Sequence, residues 1–319
     1  MLTEKIHKLI IDLTQGYKYG RYLEDGDLQY EASLRLLCDN IRQYLNQKSS
    51  ETILISNLNN DLQGAMLFRI SDWDSLHFGY KTVLIDYIII RKTSEESHLK
   101  IGANLLELFL DWCSQHEIKF IVSKTPSLDL LTIHCLEKAG FRFIESWIYN
   151  KYDLRRNSLN HENHLELRYA EKSDLEYMLA YSKDAFSTQR FHADFHIPND
   201  KAESLYAKWI HTAFNDPKQK ILVYDKDNIP CAYMIYYIND LTSYYGQKFA
   251  MWKMALINPQ MTGKGIGARF FSSVCDYHRT ENLDVVDSGL SLRNIISLNT
   301  HNKINFKVVS TLVTTHLWL

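Results

Sequence analysis

Sliding the 319-residue chain along itself by 165 positions lays its second half on its first without a gap. Ile101-Gly102-Ala103 falls on Ile266-Gly267-Ala268, Asp111-Trp112 on Asp276-Tyr277, and Phe141-Arg142 on Phe306-Lys307. Each match is weak alone. Together, at one offset and with one order of elements, they predict a duplicated α/β unit. The length agrees, because 319 residues exceed what one hydrophobic core usually supports. The polar stretch "RRNSLNHENHLE" breaks the pattern, so the expected domains are 1–158 and 163–319.

Apolar spacing supplies the elements. "KIHKLIIDL" and "EASLRLLCDNIRQYL" predict helices ahead of two strands, "ETILISNL" and "LQGAMLFRI". "SDWDSLHFGY" reads as a polar, aromatic loop. A β-α-β-α-β run follows, from "KTVLIDYIII" to "FRFIESWIYNKYDL". In the second half, Ser173 and Glu176 have capping-box spacing at the head of a helix. "STQRFHADFHIPND" is a loop, and "KAESLYAKWIHTAF" a helix. The strands "KILVYD", "PCAYMIYYI" and "FAMWKMALI" lead into a glycine-rich turn, and the same β-α-β-α-β order then closes the chain.

Composition narrows the classes. Hydrophobic content of 45% with 23% charged residues is that of a soluble globular protein. A net charge of −2 gives no electrostatic basis for nucleic acid or an anionic membrane as partner. Cys38, Cys113, Cys135, Cys231 and Cys275 are scattered, without CxxC spacing, and read as reduced thiols of a cytoplasmic protein with no metal site. The start, "MLTEKIHKLIIDL", carries acidic residues and no long apolar run, so neither a signal peptide nor a membrane span is expected.

The turn "NPQMTGKGIGARFF" is the chemical singularity of the chain. Three of its 12 glycines, Gly263, Gly265 and Gly267, fall within five positions. Such clustering suits a backbone that approaches something closely. Their counterparts at 263 and 265 in the first half are His98 and Lys100, so only the second half can do what the glycines do. A dinucleotide fingerprint is formally present in Gly263, Gly265 and Ala268, with Asp287 further on. Only 51 residues remain after Ala268, too few for the βα units of a Rossmann domain. A Walker loop lacks its spacing and its Lys-Ser or Lys-Thr. An anion site at a helix N-terminus fits better: amides of Thr262, Gly263, Lys264, Gly265, Ile266, Gly267 and Ala268 would face a pyrophosphate, favoured by the helix dipole. A glycine-rich turn without ligand is the alternative.

Gln260-x-x-Gly263-x-Gly265, after a strand and opening a helix, resembles the acyl-CoA-binding motif of the Gcn5-related N-acetyltransferase superfamily. The resemblance implies an α/β (α+β) fold of two tandem acetyltransferase-like domains, with mixed sheets flanked by helices. The N-terminal copy is degenerate, and acetyl-CoA is the cosubstrate. It implies that the main chain of Ala255, Leu256 and Ile257 holds the pantetheine arm and polarises the thioester carbonyl. A closer similarity covers about residues 71–319. "WDSLHFGY", "AEKSDLEYMLAYSKDAFSTQRFHADF", "LYAKWIHTAF" and "LRNIISLN" are similar to the TDP-fucosamine acetyltransferase group. Its members acetylate the amino group of a nucleotide-linked 4-amino-4,6-dideoxy sugar for surface polysaccharides. Residues 1–70 lie outside the similarity, and about the first 50 of them read as a helical N-terminal extension.

The superfamily's leaving-group acid is a tyrosine seven positions after a cofactor-binding asparagine. Here the asparagine position is Asn294 and the acid position is His301, a departure from tyrosine, with Tyr277 as a spare. Histidine suits proton transfer near neutral pH. On the first half these positions are Asp129 and Leu136. For the acceptor, Arg190 would pair with a nucleotide diphosphate, and Phe191 or Trp209 would pack on sugar or base. Asp194 or His192 would take the ammonium proton. A tandem enzyme like mycothiol synthase and an inactive CoA-binding module are the competing functions. A homodimer is compatible with the sequence, which does not fix the oligomeric state.

Overall fold

The computed structural model describes residues 2–47, 50–56, 61–156, 164–183, 185–261 and 263–319. In chain order the first half forms α1 (Leu2–Thr14), α2 (Tyr30–Leu45), β1 (Ser50–Ser56), β2 (Leu62–Ile70), α3 (Asp72–Phe78), β3 (Thr82–Ile90), α4 (Glu95–Gln115), β4 (Phe120–Pro126), α5 (Leu130–Lys138) and β5 (Arg142–Asp153). The second half forms β6 (Leu167–Tyr169), α6 (Asp174–Ser182), α7 (Arg190–Ala193), α8 (Asn199–Asn215), β7 (Gln219–Lys226), β8 (Ile229–Asp240), α9 (Thr242–Tyr245), β9 (Lys248–Ile257), α10 (Ile266–Thr280), β10 (Val285–Ser291), α11 (Ile295–Lys303) and β11 (Lys307–Trp318).

The domain boundary expected at 158–163 falls outside the described residues. Two compact units form: Met1–Ser146 with Ser310–Leu319, and Trp147–Val309. Each unit thus contains strand residues from the other half of the chain. The first unit's sheet runs β1-β2-β3-β4-β11, with β3 and β4 parallel and the other pairs antiparallel. The second unit's runs β5-β10-β9-β8-β7-β6, with β9 and β10 parallel and the rest antiparallel.

Strand alternation clothes both faces of each sheet. On β2, Met66 and Phe68 pack with Leu105 and Phe109 of α4, whereas Ala65 and Leu67 pack with Ile10 of α1 and Ile41 of α2. On β8, Met234 and Tyr236 meet Phe270 and Val274 of α10, while Tyr233 and Ile235 meet Met178 of α6 and Ile210 of α8. Residues 1–70 therefore complete the first unit, supplying the same helix-helix-strand-strand order that α6, α8, β7 and β8 supply to the second.

The 165-residue offset carries over to the elements. β4 and β10, α5 and α11, and β5 and β11 match at both ends, and α4 and α10 end in register. They do not begin in register. α4 starts at Glu95, the counterpart of Gln260, so the first copy winds into helix the stretch that is a glycine turn in the second.

Two local expectations are corrected. "SDWDSLHFGY" is not a loop: Asp72–Phe78 is helical, capped by the Ser71 hydroxyl accepting from the Asp74 amide and closed by Gly79 at φ +85°. Ser173 makes no side-chain cap, so there is no capping box. The Asp174 carboxylate instead accepts from the Glu171 amide at 2.7 Å and from Arg168 at 2.7 and 2.9 Å, a charge-assisted arrangement that outcompetes a serine hydroxyl.

Candidate active site

β9 and β10 pair in parallel only from Phe249↔Val285 to Trp252↔Ser288, although β9 continues to Ile257 and β10 to Ser291. Beyond that pair the strands part, and β9 remains tied to β8 alone. The cause is visible in the β8–β9 register. Ile235 faces Met254 and Tyr236 faces Trp252, so Lys253 is an extra residue, a bulge that bends β9. Main-chain groups of Met254–Ile257 that do not bond β8 are turned towards the gap. The first unit repeats this device: Asp86 is skipped between Ile85 and Tyr87, and β3–β4 pairing ends at Ile85↔Ser123.

The chain leaves β9 into the glycine turn. The Asn258 amide donates to the Cys231 carbonyl at 2.8 Å, and its side chain bridges the Gln260 amide and the Tyr181 hydroxyl. Gly263 and Gly265 have φ of +79° and +77°, and a Cβ at either would meet nothing within 4 Å. Left-handed backbone beside open space is what an anion-accepting turn requires. Gly265 is the N-cap of α10 and provides no side-chain cap; the first intrahelical bond runs from Arg269 to the Gly265 carbonyl. The amides of Ile266, Gly267 and Ala268 are left without intrahelical partners. In the first copy, Ser94 caps α4 with its own hydroxyl, bonded to the Ser97 amide. Gly267 answers to a different need: a Cβ there would lie 3.3 Å from Ile257, so it lets α10 close on β9. Thr262 lies outside the described residues. Gln260 and Lys264 are exposed on the turn.

A cleft with about 120 Å³ of internal volume, partly open to solvent, lies at the fork. Lys253, Met254 and Ala255 of β9 line it with Ser288, Gly289 and Leu290 of β10 and Asn294, Ser297 and His301 of α11. Trp147, Phe186, Tyr206 and Trp209 form an aromatic wall. Gly289 makes room for that wall, because a Cβ there would collide with the Trp147 indole at 2.7 Å.

His301 is buried beside this cleft. Its Nδ1 lies 2.8 Å from the Ser297 carbonyl, which only accepts, so Nδ1 carries the ring proton. Nε2 then accepts from the Ser288 hydroxyl at 2.9 Å. Burial drives the imidazole pKa down to about 4, leaving about one ring in a thousand protonated at pH 7. At the floor, the Trp252 indole donates to His278 Nε2 at 3.0 Å, and His278 Nδ1 donates to Glu281 at 3.2 Å. Glu281 also accepts from Lys220, Tyr236 and Tyr169. Burial raises the carboxyl, but the bonds from His278, Lys220, Tyr236 and Tyr169 outweigh it and hold the group at about 2.

No protein-family model matches the chain. It is 20% identical over 260 residues to the spore coat polysaccharide biosynthesis protein SpsD of Bacillus subtilis (strain 168), covering 82% of this chain and 86% of that protein. Among solved structures it superposes on a GCN5-related N-acetyltransferase from Sphaerobacter thermophilus with a TM-score of 0.59 at 9% identity, covering 88% of this chain and 84% of that one. A tandem GNAT protein from the clavulanic acid biosynthesis pathway superposes with a TM-score of 0.53 at 10% identity over 99% of this chain and 95% of its own. The fold is that of the tandem GCN5-related N-acetyltransferases. The resemblance read from Gln260, Gly263 and Gly265 is borne out at the level of fold.

Within this acetyltransferase fold the sequence-predicted residues are placed as follows. Ala255, Asn294, His301 and Trp209 line the cleft. Asn294 caps α11 by accepting from the Ser297 amide at 3.0 Å, as its counterpart Asp129 caps α5. Phe191 does not face a ligand: it is 1% exposed, with the Arg190 guanidinium stacked on its ring at 4.4 Å. Arg190 follows Gln189, which is in the lining, but is not in the lining itself. Asp194 is buried and bonded to the His196 amide and ring, and neither it nor His192 lines the cleft. Tyr277 lies edge-on to Tyr169, away from the cleft, its hydroxyl pushed up to about 12 by burial and by Tyr169.

Sequence reasoning missed Ser288, Gly289, Lys253, Trp147 and Trp252. Gly289, in "DSGLS" of a strand, was the one legible signal, since an isolated strand glycine marks a close approach.

Proposed function

We propose that the second unit transfers an acetyl group from acetyl-CoA to the amine of a nucleotide-linked amino sugar of the 4-amino-4,6-dideoxyhexose type, by direct attack with both substrates bound. The observation that carries this reading is the parting of β9 from β10 into an uncapped helix N-terminus flanked by two left-handed glycines. Thr262–Ala268 would receive the pyrophosphate, with Gln260 and Lys264 beside it. The main chain of Ala255–Ile257 would receive the pantetheine arm, and an amide of β9 would polarise the thioester carbonyl. Asn294 borders the arm. Holding the two reactants together supplies much of the acceleration.

The acceptor reading draws on the aromatic wall and on SpsD, named for polysaccharide biosynthesis. A face of Trp209 suits a pyranose ring, and Lys253 in the lining, with Arg190 next to the lining residue Gln189, provides cations for a diphosphate. Phe191 takes part only by holding Arg190. A cytoplasmic location, where buried free cysteines stay reduced, belongs to the same proposal.

The test is thiol release from acetyl-CoA on addition of a TDP-linked 4-amino-4,6-dideoxyhexose. Trp209→Ala is expected to raise the KM for the sugar nucleotide about 10-fold, the worth of one stacking ring, and to leave the KM for acetyl-CoA unchanged. Turnover with a cysteinyl glycoside but no sugar nucleotide would favour a mycothiol-synthase-like role. Acetyl-CoA binding without turnover on any amine would mark an inactive module.

A further inference from the structure

Ser288 is the last residue of β10 paired with β9, so it stands where the two strands separate. It is the deepest point an extended arm reaches when it enters between them from the α10 end. The side chain is buried, lines the cleft and bonds His301 Nε2 at 2.9 Å. The imidazole is fixed on its far side by the Ser297 carbonyl and held edge-on by Phe271 and Phe306, with ring centroids at 5.2 and 4.8 Å. In the neutral ring one nitrogen donates and one accepts, and both are engaged. Nε2 therefore has no proton for a leaving group. The serine hydroxyl has one.

We infer that the Ser288 hydroxyl protonates the departing thiolate of CoA, and that His301 is its positioning residue. This rests on the acetyl-transfer reading above. In the step, the amine nitrogen bonds to the thioester carbon, and the carbon–sulfur bond breaks with its electron pair left on sulfur. The hydroxyl turns from Nε2 to the sulfur and gives up its proton. In the same step the surplus proton on nitrogen passes to the serine oxygen, so no alkoxide is left, an amide and a free thiol form, and Ser288 ends unchanged. A hydroxyl is a weak acid in water. Preorganised at a site poor in water, a donor aimed at developing charge is worth far more. The superfamily's tyrosine is thereby replaced by a pair whose members are 13 residues apart.

Bound CoA is the probe. Thiolate absorbance of enzyme-bound CoA, followed through a pH titration, reports the thiol pKa in the complex. We expect a lower value in the wild type than in Ser288→Ala, with His301→Gln close to the wild type and His301→Leu close to the serine variant. With acetyl-CoA and the TDP-linked amino sugar, Ser288→Ala should lower kcat about 100-fold and change the KM for acetyl-CoA less than about twofold. Ser288→Val, which suits a strand, carries the same expectations should alanine prevent folding. An unchanged thiol pKa in the serine variants overturns the inference and leaves acetyl transfer standing. Failure of the wild type to bind CoA overturns the acetyl-transfer reading and this inference with it.

Discussion

Gly265→Glu is expected to abolish acetyl-CoA binding in titration calorimetry while the protein stays folded. The wild type should bind with a Kd near the micromolar level, about −8 kcal/mol, and the variant should be weaker by about 1,000-fold or more. Three effects act together. A carboxylate would enter the open space beside the turn, where an added Cβ meets nothing within 4 Å. It would carry negative charge to the positive end of α10, occupying amides and repelling a pyrophosphate. An L-residue at φ +77° also strains the turn by about 1–2 kcal/mol. Gly267→Ala separates binding from packing. Its Cβ would press on Ile257 at 3.3 Å, so that variant should lose melting temperature rather than its anion site. Unimpaired binding by Gly265→Glu would remove the turn from the cofactor site.

The glycine turn was legible because glycine at positive φ is a property of single residues in sequence. The duplication was legible because the offset is constant, and the elements keep that offset as far as Lys307–Trp318. What depended on distant neighbours was not. The bulge at Lys253 shows only in the strand register, and the Ser288–His301 and Trp147–Gly289 pairs exist only once α11 and β5 are in place. Phe191 read as a ligand-facing aromatic because sequence gives residue type and not exposure. The reverse error hid α3: its seven residues are too few for a periodicity, although Ser71 before them is a helix start signal and Gly79 after them a stop signal. The difference between the two copies was half legible. His98 and Lys100 in place of glycines were plain, whereas the retained bulge at Asp86 was not. The first copy keeps the parted strands without the open turn, because Ser94 and an early helix consume the amides that Gly265 leaves open.

Glu281→Gln is expected to destabilise the second unit by about 2–3 kcal/mol at neutral pH. The side chain is 12% exposed and receives four donors, of which His278 is fully buried. Holding the carboxyl at about 2 instead of its ordinary 4.5 corresponds to about 3 kcal/mol, reduced somewhat because Lys220 is 37% exposed and screened. The sign follows from the depressed pKa. The folded state binds the proton less readily than the unfolded chain, so this stability is fully present above about pH 4.5 and is lost as pH falls towards 2. Urea melts of wild type and variant should therefore differ at pH 7 and converge as acid is added, whereas a uniform difference at both would mean that packing and not charge is at stake. The consequence reaches the cleft through two rings. Glu281 sets the His278 tautomer, His278 accepts from the Trp252 indole, and Trp252 floors the fork opposite Ser288. A glutamine that turns its amide nitrogen to His278 reverses that chain and frees the indole. The variant should then lose kcat about 10-fold at a temperature where it is still folded, with acetyl-CoA affinity intact, since the glycine turn at the other end of β9 is untouched.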